Sequence, residues 1–189
     1  MSSTAPTPPP PSSTASSTPS STPPATTPTF RLRTAGPGDG AVIAALVREL
    51  AAYEEEPDAA TATAGDFDRA LAGGTGVGCL LAEVDTPTGP EVAGMALWYT
   101  TFSTWQGRAG MWLEDLFVRP EHRRLGIGRA FFAEMGRLCH ERGFGRLEWW
   151  VLDWNTSAHA FYRSLGAAPQ DEWTVWRLDG AGLADLTTM

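Results

Sequence analysis

No lysine occurs in the chain: every basic side chain among its 189 residues is an arginine, 14 in all. Codon bias accounts for that, and no function follows from it. Net charge is −8 at pH 7. That argues against nucleic acid as a partner and for a cationic small molecule, which an acidic cleft attracts. Cysteine is scarce. Cys79 and Cys139 lie far apart in apolar stretches and match no metal or redox spacing, so they read as buried free thiols and no metal is expected. No apolar run is long enough to span a bilayer. The composition points to a cytoplasmic protein without a membrane partner.

Residues 1–29 lack charge altogether. They hold eight Ser, eight Thr, nine Pro, three Ala and the Met. Such a segment cannot bury enough apolar surface to offset its chain entropy, so a disordered tail is expected. It has neither the basic nor the apolar region of a signal peptide. Residues 30–189 then form one domain with a single core.

What is present reads as a run of short elements. "TFRLRTA" (29–35) alternates like a strand. Val42, Ala45, Leu46, Leu50 and Tyr53 recur at helical spacing, with Asp39 as the N-cap. Thr63 and Asp66 resemble a capping box before a short helix. "VGCLLAEV" (77–84) and "EVAGMALWYTTF" (91–102) flank a Pro- and Gly-containing turn and predict an antiparallel hairpin. "MWLEDLFV" (111–118) is a further strand. Ile127, Phe131, Met135, Leu138 and Cys139 mark one face of a helix ended by Gly143. "RLEWWVLDW" (146–154) suits a central strand buried on both faces. A short helix with Ala158, Phe161, Tyr162 and Leu165 inward and a last strand, "EWTVWRL" (172–178), complete the order βααβββαβαβ.

The turn "RRLGIG" (123–128) is neither the dinucleotide fingerprint nor the Walker loop. Its setting between a strand and a helix still suits an anion. Converging N–H groups, the helix dipole and close backbone approach at glycine would all contribute. A plain turn with solvated arginines fits the stretch equally well.

Arg123-x-x-Gly126-x-Gly128, following "RPEH", resembles the acetyl-coenzyme A loop of the GNAT N-acetyltransferase superfamily. The likeness is closer to the diamine N-acetyltransferases of the spermidine/spermine and thialysine types. It runs through "ELAAYEEEP" (49–57), "WYTTFSTWQGR" (98–108), "LEDLFVRPEHRRLGIG" (113–128) and "VLDWNTSAHAFYRSLGA" (151–167). The resemblance implies an α/β (α+β) GNAT fold: a mixed, mostly antiparallel central sheet flanked by helices, with acetyl-CoA between two splayed central strands. It also implies a homodimer. Arg124 stands where the family commonly has glycine.

The resemblance implies roles residue by residue. Arg123, Arg124, Leu125, Gly126, Ile127, Gly128 and Arg129 would hold the pyrophosphate. Leu116, Phe117 and Val118 would offer backbone groups to the pantetheine arm, with the Leu116 N–H facing the thioester oxygen. Asn155, with Ser157, would bond the cofactor arm. Tyr162 would protonate the departing thiolate and Glu114 would relay the amine's proton through water. Tyr53, Glu54, Trp105, Glu114, Asp115 and Asp171 would line the amine site, where carboxylates and aromatic faces suit an ammonium.

Each residue also has an ordinary structural reading: core for Tyr162, an N-cap for Asn155, a solvated helix end for Glu54, a loop anchor for Trp105, a polar turn for Asp171. Glu114 and Asp115 are neighbours in a strand and should point to opposite faces. His122, His140 and His159 are not clustered and receive no role. The function implied is acetyl transfer from acetyl-CoA to a primary amine of a diamine, polyamine or thialysine-like amino acid. An antibiotic amine, a protein amino group, or a non-catalytic acyl-CoA sensor are the alternatives.

Overall fold

The computed structural model describes residues 29–188; the Ser/Thr/Pro-rich segment expected to be a tail lies outside them, apart from Thr29. A five-stranded sheet runs in the order β1-β2-β3-β4-β5. The strands are β1 (Phe30–Thr34), β2 (Val77–Thr86), β3 (Gly89–Ser103), β4 (Arg108–Val118) and β5 (Leu147–Glu148). The first four pair antiparallel, and β5 lies parallel to β4. The predicted hairpin is the β2–β3 pair, with both strands longer than expected.

Helices cover both faces. On one, α3 (Ile127–Glu141) and α4 (Thr156–Ser164) close a core of Leu80, Ala96, Trp98, Met111, Leu113, Ile127, Phe131 and Met135. On the other, α1 (Gly40–Tyr53) and α2 (Ala64–Leu71) close a core of Ile43, Leu46, Cys79, Leu81, Met95, Leu97 and Phe117. Of the expected face of α1, Leu46 is buried and Val42 and Leu50 pack against this core; Ile43 is an added inward residue, and Ala45 is only half-buried. A short helix not foreseen from sequence, α5, spans Gly180–Asp185.

Local chemistry explains most boundaries. Thr63 and Asp66 form the capping box of α2, each side chain bonding the other's backbone N–H. Asp39 precedes α1 but makes no side-chain cap bond. Its carboxylate accepts instead from Arg33, at 2.9 and 2.7 Å, and from the Gly36 N–H at 2.9 Å. A bidentate pair with a full guanidinium charge outcompetes a cap bond to a single backbone N–H. Arg119, just past β4, holds Glu49 of α1 at 2.9 and 2.7 Å and the Val92 carbonyl at 2.8 Å. These two clamps fix α1 over the sheet. Cys79 is buried and Cys139 only half-buried, both as free thiols.

Two predicted strands differ. The stretch expected at 146–154 pairs with β4 only at Met111↔Leu147 and Trp112↔Glu148. Beyond Glu148 the chain turns away, with Trp149 packing on Phe132 and Tyr162 and Trp150 on Trp112. The stretch expected at 172–178 forms no strand. It stays exposed, Trp176 at 91%, because apolar alternation supplies a strand's pattern but not its pairing partner.

One irregularity shapes the site. The β3–β4 register jumps from Leu97↔Asp115 to Trp98↔Leu113, leaving Glu114 as an extra residue in β4. Such a bulge shifts the alternation of side chains. Met111 and Leu113 face α3, and so do Leu116 and Val118. Beside this segment, a Cβ added at Gly94 would press on the Phe117 carbonyl oxygen and stand 3.0 Å from the Val118 Cα. Gly94→Ala is therefore expected to cost about 1–3 kcal/mol, read as a lower urea midpoint.

Candidate active site

Because β5 ends at Glu148, the side of β4 facing away from β3 is unpaired from Leu113 onward. Leu116 and Val118 turn their backbone groups to that opening, with Phe117 between them paired to Met95 of β3, a track suited to an extended ligand chain. At its far end lies the glycine turn. Gly126 takes φ +90° as the N-cap of α3, a conformation suited to glycine. The first intrahelical bond runs from Ala130 N–H to Gly126, so the N–H groups of Ile127, Gly128 and Arg129 are the helix's free donors. Gly128 packs against α4, where an added Cβ would stand 3.4 Å from Phe161.

The arginines of this turn are not alike. Arg124 is exposed and left-handed, at φ +66°, which is why a glycine would also serve there. Arg123 turns back, donating to the Val118 carbonyl at 2.9 Å and lying 4.8 Å over the Tyr53 ring. Arg129 donates to the Ser164 hydroxyl at 3.3 Å. The turn, the open strand side and Asn155 fit a coenzyme A arm. Asn155 caps α4 through its side-chain oxygen, which accepts from the Ala158 N–H at 3.2 Å and the Ser157 hydroxyl at 3.1 Å. Its amide N–H₂ remains available as a donor.

A cavity of about 350 Å³ lies beside the bulge. Glu54, Glu114 and Asp115 line it together with Val47, Leu50, Ala51, Ala59 and Ala60. Neighbours in a regular strand would diverge, but the extra residue at 114 turns both carboxylates toward α1. Asp115 is the deeper of the two: burial, then the charges of Glu114 and Glu54, push its carboxyl up to about 6. Burial also raises Glu54. Glu114 is exposed and accepts from the Trp112 indole N–H at 2.9 Å. Among the described residues no cation pairs with any of the three. Three uncompensated carboxylates around one hollow give it a negative potential of the kind that attracts cations.

Tyr162 packs among Phe132, Trp149 and Phe161 at ring separations of 5.7, 5.0 and 5.4 Å. Burial, then the charge of Glu54, raise its phenol to about 12, so it stays protonated at neutral pH. Tyr53 lies between Arg123 and Trp154, whose ring is 6.0 Å away. Trp105 is 91% exposed in the β3–β4 loop and does not reach the cavity. Asp171 does not reach it either. It borders a separate hollow of about 270 Å³ lined by Pro169, Gln170, Asp171 and Glu172, four consecutive residues rather than a convergence of elements. Sequence reasoning missed Trp112 as the partner of Glu114 and Arg119 as the clamp on α1: both lie in the quoted stretches, but their partners are set by tertiary placement rather than by the motif.

The chain matches the acetyltransferase (GNAT) family model over residues 43–167. It is 36% identical over 167 residues to a thialysine N-epsilon-acetyltransferase of Bos taurus, covering 82% of this chain and 95% of that one. It is 32% identical over 157 residues to the Caenorhabditis elegans protein of the same name, covering 82% and 94%. Among solved structures, an integron cassette protein from the mobile metagenome of V. cholerae superposes with a TM-score of 0.69 at 24% identity, over 85% of this chain and 98% of that one. Among the described residues no helix is long and apolar enough to cross a membrane. With a family model spanning most of its core and relatives sharing about a third of its residues, this chain belongs to the GNAT acetyltransferase family.

Proposed function

We propose that the protein transfers an acetyl group from acetyl-CoA to a primary amine of a small cation, a diamine, polyamine or thialysine-like amino acid. The observation that carries this reading is the convergence of Glu54, Glu114 and Asp115 on one cavity at the open side of β4. Acetyl-CoA supplies an activated thioester. Gly126–Arg129 and Arg124 hold its phosphates, Leu116–Val118 its pantetheine arm, and Asn155 with Ser157 bonds that arm at the start of α4. The Leu116 N–H stabilises charge developing on the acyl oxygen.

Glu54 and Asp115 draw the ammonium in, with Tyr53 as an aromatic wall. Glu114, on the solvent side, takes the amine's proton by way of water. A free alkylammonium has a pKa of about 10.4 and must lose that proton before it can attack. Tyr162 donates a proton to the departing thiolate. Trp105 and Asp171 come into play only if their loops close over the cavity. The family resemblance adds a homodimer, for which the exposed apolar segment at 172–178 offers surface, and the scarcity of cysteine fits the cytoplasm.

Free CoA release is the direct test. Turnover is expected with diamines, polyamines or thialysine, and little with an aminoglycoside or a peptide amine. No release above background with any amine overturns the proposal; activity confined to the last two moves it to a different acceptor.

A further inference from the structure

On the α1 side of the sheet, beyond the reach of α1 itself, three aromatic rings meet, Tyr99 and Trp150 exposed and Trp112 half-buried. Trp112 of β4 and Trp150 meet with centroids 4.9 Å apart and planes at 82°, so two ring planes form a corner. Tyr99 of β3 extends it, 6.3 Å from Trp112. Trp150 is 60% and Tyr99 36% exposed, although burial normally rewards such side chains strongly. Glu114 borders the corner, its carboxylate bound to the Trp112 indole. The same Glu114 lines the acidic cavity, so corner and cavity are continuous. At the other end Glu148 is already neutralised by Arg146 at 2.6 Å, which leaves Glu114 as the uncompensated charge. The field of Glu114 reaches Tyr99, whose phenol is raised by burial and then by that carboxylate.

We propose that Tyr99, Trp112, Trp150 and Glu114 form a second cation subsite that takes the far ammonium of the acceptor. The exposed rings of Trp150 and Tyr99 offer negative faces to a cation, Trp112 holds Trp150 in place by its edge-to-face contact, and one carboxylate supplies full charge. Such a corner makes no directed hydrogen bond from its rings, so it accepts a methylated ammonium as well as a primary one. The other hollow, at Asp171, offers no ring faces of this kind. The subsite rests on the amine-acceptor reading above, and it extends the acceptor across Glu114 from the reacting end to the aromatic corner.

Choline and its neutral isostere 3,3-dimethylbutan-1-ol separate charge from shape, and neither carries an amine to acetylate. Calorimetric titration of the full chain without acetyl-CoA should show choline binding about tenfold more tightly than the alcohol. Trp150→Ala and, separately, Tyr99→Ala should each cut that preference by about threefold or more, the remainder being owed to the Glu54–Asp115 cavity; both residues are exposed, so folding is not at stake. Trp176→Ala, remote in sequence and equally exposed, should leave it intact. Equal binding of the two probes, or an unchanged preference in Trp150→Ala, overturns the subsite. A choline preference that drops in Trp150→Ala, without amine turnover, would keep the subsite and defeat the amine-acceptor reading; turnover with a preference that Trp150→Ala leaves unchanged would do the reverse.

Discussion

Tyr162→Phe is expected to lower kcat by roughly 10²- to 10³-fold while acetyl-CoA affinity changes by about twofold or less. The substitution removes one oxygen and keeps the ring, so the contacts with Phe132, Trp149 and Phe161 survive. The lost atom is the proton donor. With its pKa raised to about 12, the phenol is fully protonated across any practical assay range. The same elevation makes it a weak acid in the empty site. Part of that elevation comes from the Glu54 carboxylate. An ammonium bound beside Glu54 would offset that charge and strengthen the acid when the acceptor is in place. Stopped-flow single turnovers would show the loss in the chemical step. An unchanged rate would take Tyr162 out of the acid role and leave it a core residue.

Asp115→Asn is expected to have two opposed effects: a more stable protein and a poorer enzyme. The sign follows from the raised pKa. The carboxyl titrates near 6 folded and near 4 in an unfolded chain. Its contribution to stability is therefore favourable below pH 4 and is lost as pH rises through 6. At neutral pH the folded protein carries a partly buried charge at a cost of about 2 kcal/mol, and asparagine removes it. The melting temperature of the variant should exceed the parent's by roughly 4–8 °C at pH 7, with the difference vanishing toward pH 4. Meanwhile kcat/KM for a diamine should fall at least about tenfold, as the cavity loses its deepest negative charge. In the parent, kcat/KM should drop as pH falls through 6, and that drop should be absent from the variant. A variant that is both less stable and fully active would contradict the placement of Asp115.

Much of the fold was legible because it is written in local rules. The capping box at Thr63 and Asp66, the hairpin turn between β2 and β3, and the helical spacing of Ile127, Phe131 and Met135 need no tertiary information. The glycine turn was legible too, since a left-handed residue at Gly126 has a sequence signature. What escaped depends on pairing. Trp149 and Trp150 do alternate as strand residues should, one toward α3 and α4 and one toward Trp112. No local rule says that their backbone parts from β4 after Glu148. The run at 172–178 has the same strand pattern without a neighbour to complete it. At the site, the residue types and their order were readable, but their convergence was not. Glu114 and Asp115 were expected on opposite faces and share one, while Trp105 and Asp171 stand apart from both.

That last difference traces to the single extra residue in β4. It works like a frameshift within the strand: inward positions are odd-numbered before it and even-numbered after it, so one inserted unit serves two purposes at once. A substitution at Glu114 changes only charge and leaves the frame alone. A one-residue deletion there removes the bulge: Leu113 would be followed directly by Asp115, and Leu116, Phe117 and Val118 would keep the sides they now occupy. Both cores would survive, and only the pairing of the acids would be lost. A lineage that shortened β4 by one would therefore keep the fold and give up half of the acidic pair.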